Sequence, residues 1–201
     1  MKKIYHEAKF VLSAAKLNQL PIDDGYEVAF AGRSNAGKSS ALNVITQNHG
    51  LAKTSKTPGR TQLINIFSLD DERRLVDLPG YGYAKVSQET RDRWQETLAQ
   101  YLETRECLCG LILLMDIRHP LKELDQSMLN WAFMRGLRVH ILLTKADKLS
   151  RSAALQVLNK ITRDLQVGGL QQIISVQLFS SLKKAGVEEV YAVLDRWMEF
   201  C

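Results

Sequence analysis

Apolar residues along the chain fall into short runs with two alternating spacings, divided by polar and glycine-bearing stretches. Glu27–Ala31 is a compact apolar run of strand length, and Lys38–Ile45 repeats its apolar residues at helical spacing. Gln62–Leu69 carries Leu63, Ile64, Ile66, Phe67 and Leu69 and reads as a strand. Asp70-Asp71 then turns it into a second strand, Arg74–Asp77, as a hairpin. Leu111–Asp116 and Val139–Thr144 are nearly continuous apolar runs, the pattern of strands buried on both faces. Ile173–Phe179 is the last strand. Helices are predicted near Glu89–Glu103, from Pro120 to Arg135 with Gly136 as its stop, from a Ser150 cap to just before Gly168-Gly169, and over Lys184–Phe200. Strands and helices alternate apart from the one hairpin. The expected fold class is therefore α/β, with three layers and a six-stranded, mostly parallel sheet covered by helices on both faces.

A length of 201 residues suits one domain over 1–201, with residues 1–24 as a short basic extension. The stretch from Gln47 to Arg60 is longer than a structural connection usually is, which marks a functional loop. Hydrophobic residues at 45% and charged residues at 24% are ordinary for a globular protein. No apolar run approaches the roughly 18 residues of a membrane span. His6, Glu7 and Lys9 interrupt any signal-peptide core, so a cytoplasmic location is expected. Cys107 and Cys109 have no second cysteine pair or histidine pair nearby, so they read as reduced thiols and not as a zinc site.

The net charge of +5 is unevenly distributed. Residues 1–20 hold Lys2, Lys3, Lys9 and Lys16 against Glu7, and residues 49–61 hold Lys53, Lys56 and Arg60 with no acid. Such stretches can meet RNA phosphates, or be solvated loops, one of them facing a nucleotide.

The chemistry is concentrated where strands end. After the first apolar strand comes Gly32-Arg33-Ser34-Asn35-Ala36-Gly37-Lys38-Ser39, a phosphate-binding loop pattern. Its glycines let the backbone curl round a polyphosphate with N–H groups inward. Lys38 supplies charge to the β and γ phosphates, Ser39 offers a hydroxyl to Mg²⁺, and the following helix aims its N-terminus at the phosphates. Asp77-Leu78-Pro79-Gly80 ends the hairpin's second strand. Asp77 can hold Mg²⁺ directly or through water, and Gly80 lets an N–H approach the γ-phosphate. Thr144-Lys145-Ala146-Asp147 ends another strand. A carboxylate there pairs with the N1–H and amine of guanine, which adenine lacks, while the Lys145 stem lies along the purine. Phe179-Ser180-Ser181-Leu182 can bring backbone to the guanine O6. Thr61 can complete Mg²⁺ coordination when a third phosphate is present, which makes its loop a switch.

With these pieces in order, the chain resembles the bacterial ribosome-biogenesis GTP-binding proteins of the YihA/EngB (YsxC) type. These belong to the TrmE-Era-EngA-EngB-Septin-like superfamily. The resemblance covers nearly the whole chain, from residues 8–11 to the last helix. It rests on Gly32–Ser40, Lys56-Thr-Pro-Gly-Arg-Thr-Gln62, Asp77-Leu-Pro-Gly-Tyr-Gly-Tyr-Ala-Lys85, Asp116-Ile-Arg-His-Pro120 and Thr144–Asp147. It implies a P-loop GTPase fold whose second strand runs antiparallel. It also implies a role in large ribosomal subunit assembly and a link to normal cell division and septation. By the same matching, GTP or GDP contacts fall on residues 32–39, on Gly59, Arg60, Thr61, Gln62 and Leu63, on 77–80, on 144–147 and on Phe179, Ser180 and Ser181. Mg²⁺ falls on Ser39 and Thr61. Thr144 stands where many GTPases have asparagine, and Ser181 where alanine is common; both are expected to weaken single contacts.

The expected reaction is attack of water on the γ-phosphate, with Lys38, Thr61 and Gly80 as the catalytic set. Many small GTPases place a water-orienting glutamine after Gly80; here the residue is Tyr81, so slow turnover without a partner is expected. In some related GTPases an asparagine at the Asn35 position helps hold K⁺; the alternative is a hydrogen bond that stiffens the loop. Arg118 and His119 either face a partner or cap the next helix. Tyr81, Tyr83 and Lys85 either contact ribosomal RNA or pack locally. Ribosomal RNA and proteins are the expected partners, DNA is not, and a monomer is expected. A nucleotide-dependent module for a division-septum partner, with incidental hydrolysis, is the alternative function. A phosphate-loop kinase is disfavoured by Asp147 and by the lack of an arginine-rich insert.

Overall fold

A computed structural model describes residues 2–52, 63–82 and 88–199. The strands are β1 (Lys9–Ala14), β2 (Tyr26–Gly32), β3 (Ile64–Ser68), β4 (Arg73–Asp77), β5 (Leu108–Asp116), β6 (Val139–Thr144) and β7 (Ile174–Leu178). The helices are α1 (Lys2–His6), α2 (Lys38–Ile45), α3 (Gln88–Thr104), α4 (Glu123–Arg135), α5 (Arg151–Val167) and α6 (Val187–Trp197). One sheet runs in the order β1-β3-β4-β2-β5-β6-β7. β3 is antiparallel to both of its neighbours and the remaining pairings are parallel, so β3 alone runs against the rest.

The sheet has seven strands, not six. The additional one, β1, comes from the segment expected to be a basic extension, and it completes an edge beside β3. Phe10 and Val11 remain exposed there, and a bulge between Phe10 and Leu12 breaks the alternation that would have marked a strand.

The period of two along β2 and β5 divides their residues between two cores. Ala29, Ala31, Leu111, Leu113 and Met115 face α3, α4 and α5. Val28, Phe30, Ile112 and Leu114 face α1, α2 and α6. On the second face Trp197 lies flat on Gly110, where a Cβ would come within 2.2 Å of the indole ring. Tyr5 stacks on Tyr191 with ring centroids 4.9 Å apart, and Tyr191 donates to the Ile45 carbonyl at 2.6 Å. The end of α2 is thereby fixed just before the long loop. Asn43 then folds that loop's first residues back, donating to the His49 and Ala52 carbonyls and accepting from the Ala52 N–H.

Away from the strand ends that carry the motifs, the start of β2 carries a buried charge network. Fully buried Glu27 accepts from Arg105 Nη2 at 2.6 Å and Nε at 3.0 Å, pairs with Arg74 Nε at 3.1 Å, and accepts from Tyr101 at 3.1 Å. Both arginines also donate to carbonyls of the segment preceding β2, Arg105 to Pro21 and Ile22 and Arg74 to Ile22 and Asp24.

Strand β5 starts earlier than expected, at Leu108 and not Leu111, and two helices are bounded differently. Helix α4 begins at Glu123, not Pro120, with Lys122 as its cap, while Gly136 ends it as predicted in the left-handed conformation. The last helix is shorter, Val187–Trp197, because residues 180–186 form a tight turn closed by paired hydrogen bonds between Ser180 and Ala185. Ser150 caps α5 as expected, accepting from the Ala153 N–H at 3.2 Å.

Candidate guanine-nucleotide site

The phosphate loop is built between the end of β2 and the start of α2. Gly37 takes φ 96°, a conformation glycine tolerates, and turns the chain into the helix. The first intrahelical bond runs from Ala41 N–H to Gly37 O. The earlier N–H groups of the helix are left facing out of its N-terminus, an anion-binding arrangement. Ser34 Oγ is buried in this loop with no hydrogen-bond partner. A buried hydroxyl in a loop of this shape suits a phosphate oxygen.

At the mouth of the loop Lys38 Nζ forms a close ion pair with Asp77 Oδ1. Asn65 Nδ2 approaches the other Asp77 oxygen at 3.4 Å. Lys38 and Asp77 come from adjacent elements, since β4 pairs with β2 up to Phe30↔Asp77. The oxygens this end of the site offers to a divalent cation are those of Asp77, the last residue of β4, and of Ser39, in the first turn of α2. Hard oxygens of this kind fit Mg²⁺. Among the described residues no His/Cys/Asp/Glu cluster forms an all-protein metal cage. A cation held by few protein oxygens and by phosphate does not need one.

The second half of the site lies at the ends of β6 and β7. Lys145, at φ 58°, turns the chain away from β6. Its ammonium donates to the Asn35 carbonyl at 2.7 Å and pairs with Asp116 at 3.0 Å, so the side chain is anchored beside the loop. Asp116 in turn accepts two hydrogen bonds from the Arg118 guanidinium, at 2.9 and 2.6 Å. The Arg118 bonds, with Lys145 adding, hold the Asp116 carboxyl well below the usual carboxylate range. Asp147 accepts from Ser180 Oγ at 2.5 Å, which lowers its pKa and keeps it an acceptor. Ser180 Oγ also accepts from the Lys183 N–H at 3.1 Å, so the β7 turn and the Asp147 carboxylate are fixed to each other.

The family model described as "50S ribosome-binding GTPase" matches residues 27–145. The chain belongs to this GTPase family. Solved structures similar to it include a probable GTP-binding protein EngB, at 17% identity and TM-score 0.70 over 86% of this chain and 98% of that one. Era in complex with MgGDPNP and a fragment of 16S ribosomal RNA matches at 21% identity and TM-score 0.65, over 87% of this chain and 57% of Era. The G domain of the T. maritima FeoB iron transporter matches at 23% identity and TM-score 0.53, over 86% and 98% of the two chains. A bacterial selenocysteine-specific elongation factor is covered over only 29% of its length. At these identities the structural matches establish the fold alone, and the family model establishes a GTP-binding GTPase domain.

Within this GTPase the predicted site residues fall in different places. Gly32 to Ser39, Asp77, Gly80, Lys145, Asp147 and Ser180 lie at the carboxyl ends of β2, β4, β6 and β7. Leu78 and Phe179 are fully buried in the core, so only their main chains reach the site; the Phe179 carbonyl accepts from the Ala146 N–H at 3.1 Å. Gly59, Arg60, Thr61 and Gln62 lie outside the described residues, as do Lys53, Lys56, Tyr83 and Lys85. Leu63 is half-buried just before β3.

The described residues add to several of these expectations. The buried Thr144 hydroxyl lies 2.6 Å from the Ala36 carbonyl and 3.1 Å from that of Met115, tying the base strand to the phosphate loop. Tyr81 is 4% exposed, with its hydroxyl donating to Asp125 at 2.8 Å, so it is not a surface for RNA. Neither Arg118 nor His119 caps α4, and Arg118 folds back onto Asp116. The Asn35 side chain is exposed, and it is the Asn35 carbonyl that bonds, accepting from Lys145. Sequence reasoning missed the Ser180 hydroxyl as the Asp147 partner, although a serine directly after the last strand was the available signal.

No helix among the described residues is long and apolar enough to cross a membrane. The Cys107 and Cys109 thiols are pushed up by burial, Cys109 to about 11, which leaves them protonated and unreactive.

Proposed function

We propose that this GTPase hydrolyses GTP to GDP and phosphate as a Mg²⁺-dependent switch, and that the switch acts in assembly of the large ribosomal subunit. The observation that carries the reading is the joining of two half-sites. Thr144 and Lys145 tie the base strand to Ala36 and Asn35 of the phosphate loop, so a guanine acceptor and a polyphosphate cradle are rigidly connected.

In the reaction a water oxygen bonds to the γ-phosphorus as the bond to the β-bridging oxygen breaks, and charge spreads over the phosphoryl oxygens. Lys38 and the N-terminus of α2 offer positive potential there. Ser39 and Thr61, with Asp77 directly or through water, would hold Mg²⁺, which would supply further charge neutralisation at the phosphates. The side chain after Gly80 is the buried Tyr81, which is turned away from any attacking water. Intrinsic turnover is therefore slow, far below the ~10 s⁻¹ of a typical enzyme, until a partner supplies what is missing. Exposed Asn35 is the candidate K⁺ ligand, and faster hydrolysis in K⁺ than in Na⁺ buffer is the sign of it.

The ribosomal part of the reading is supported by the family description and by the RNA-bound Era relative. It is also supported by charge at the base end of the site, where Lys148, Arg151, Lys183 and Lys184 are all exposed. A role in cell division follows indirectly, through the supply of ribosomes. The test is co-sedimentation with ribosomal subunits in GMPPNP or GDP. Migration with the large subunit in GMPPNP, and release in GDP, is expected. Equal behaviour in both nucleotides, or no association, overturns the ribosomal reading.

A further inference from the structure

Asp125 is an ionisable side chain buried in the core, and the reaction described above does not use it. It is fully buried near the start of α4, and burial pushes its carboxyl up from the usual range. As the N3 residue of α4 it closes a capping box with the Lys122 N–H, but that bond uses only Oδ2 and leaves Oδ1 for a partner outside the helix. Groups from three elements converge on it. Tyr81, directly after Gly80, donates its hydroxyl to Oδ1 at 2.8 Å. The Lys122 N–H, at the cap of α4, donates to Oδ2 at 3.0 Å. Arg33 of the phosphate loop is near enough to favour the charged form, as is Lys122.

Tyr81 is also fixed through its backbone. Its N–H donates to the Gly32 carbonyl at 3.3 Å, and its carbonyl accepts from the Ser34 N–H at 2.8 Å. It thus pairs with Arg33 as a strand residue would. On the other side of Gly80, the Leu78 N–H donates to the Phe30 carbonyl at 3.0 Å. Gly80 is held between these anchors against the phosphate loop, where an added Cβ would stand 3.4 Å from Ser34 Cα. Its N–H is the group expected to meet a third phosphate and no other part of the nucleotide. The Tyr81 ring adds a side-chain anchor to these backbone ones, and Asp125 fixes the ring's far end.

We infer that Asp125 is a positioning residue for recognition of the third phosphate, acting through the Tyr81 hydroxyl to fix the Gly80 N–H over the phosphate loop. The inference rests on the guanine-nucleotide reading above and adds to it a link between helix α4 and the phosphate that distinguishes GTP from GDP.

The test is isothermal titration of GDP and GMPPNP, with Mg²⁺, into the wild type, Tyr81→Phe, Asp125→Asn and the double variant, with melting curves alongside. The ratio of GMPPNP to GDP affinity is expected to fall about tenfold in Tyr81→Phe, with GDP affinity within about twofold of wild type. The double variant is expected to lose no more than the larger single loss, because the two groups act as one unit. A lowered melting temperature with an unchanged affinity ratio makes the contact merely structural and overturns the inference. So does a double variant whose losses simply add. If Asp125→Asn does not fold, Tyr81→Phe alone decides. A wild type that binds neither nucleotide overturns the guanine reading itself, and this inference with it.

Discussion

The Lys38 ammonium sits on the Asp77 carboxylate, and the two side chains are only 11% and 9% exposed. A polyphosphate entering the loop must compete with Asp77 for the same cation, so this pair couples phosphate binding to the end of β4. Asp77→Asn leaves Lys38 without its counter-charge in a nearly buried position, and a loss of about 3 kcal/mol of stability is expected. Guanine nucleotide replaces the missing anion. Added GDP without Mg²⁺ should therefore raise the melting temperature of Asp77→Asn more than that of the wild type. Equal shifts would mean that Asp77 and phosphate do not compete.

Thr144→Val keeps the shape of the side chain and removes the hydroxyl beside the Ala36 carbonyl. Loss of that hydrogen bond is expected to cost about 1 kcal/mol, and GDP affinity should fall by roughly five- to tenfold as the two half-sites loosen. Titration of GDP into the variant measures it, and wild-type affinity would show that the tie is not needed.

The Glu27 network gives the opposite pattern. Arg105→Ala leaves the buried carboxylate with Arg74 and the Tyr101 hydroxyl in place of two arginines, and a loss of about 3–5 kcal/mol is expected in urea unfolding. Guanine-nucleotide affinity of the folded fraction should stay within about twofold of wild type, because Glu27 lies at the start of β2 and the phosphate loop at its end. A large affinity change would show coupling along the strand.

His140 makes stability depend on pH. Burial holds its imidazole below the usual range, against the opposing hydrogen bond to Gln177. Its two nitrogens lie 2.7 Å from Ser175 Oγ and 2.7 Å from Gln177 Oε1. Because Gln177 Nε2 donates to the Gly186 carbonyl, Oε1 faces the ring as an acceptor, which assigns the proton to Nε2. The unfolded chain takes up a proton near pH ~6.5, while the folded chain resists until a lower pH. This group therefore favours the folded state above about pH 6.5, and that stability is lost as pH falls toward the folded pKa. His140→Gln should flatten the change in urea midpoint between about pH 7.5 and 5.5. An equally steep change in the variant would place the titrating group elsewhere.

Much of this was legible in the residues. The phosphate loop, the hairpin and the buried runs of β5 and β6 are local patterns, and the chain folds them as read. What was hidden depends on partners distant in sequence. β1 carries exposed Phe10 and Val11 and becomes a strand only because β3 offers it an edge. Glu27 opens an apolar run and looks like a polar boundary until Arg105 and Arg74 converge on it. Tyr81, in a loop rich in glycine and polar residues, looks exposed, yet a carboxylate from α4 draws it inward. Pro120 is a plausible helix start, but Leu121 takes φ 54° and delays the helix to Glu123.

The decisive measurement is titration of GTP, XTP and ATP into the wild type and into Asp147→Asn, whose Ser180 partner keeps residue 147 in place. The wild type is expected to bind GTP and to refuse ATP, and the variant to shift its preference toward XTP. A wild type that binds ATP as well as GTP, or a variant with unchanged preference, contradicts the account.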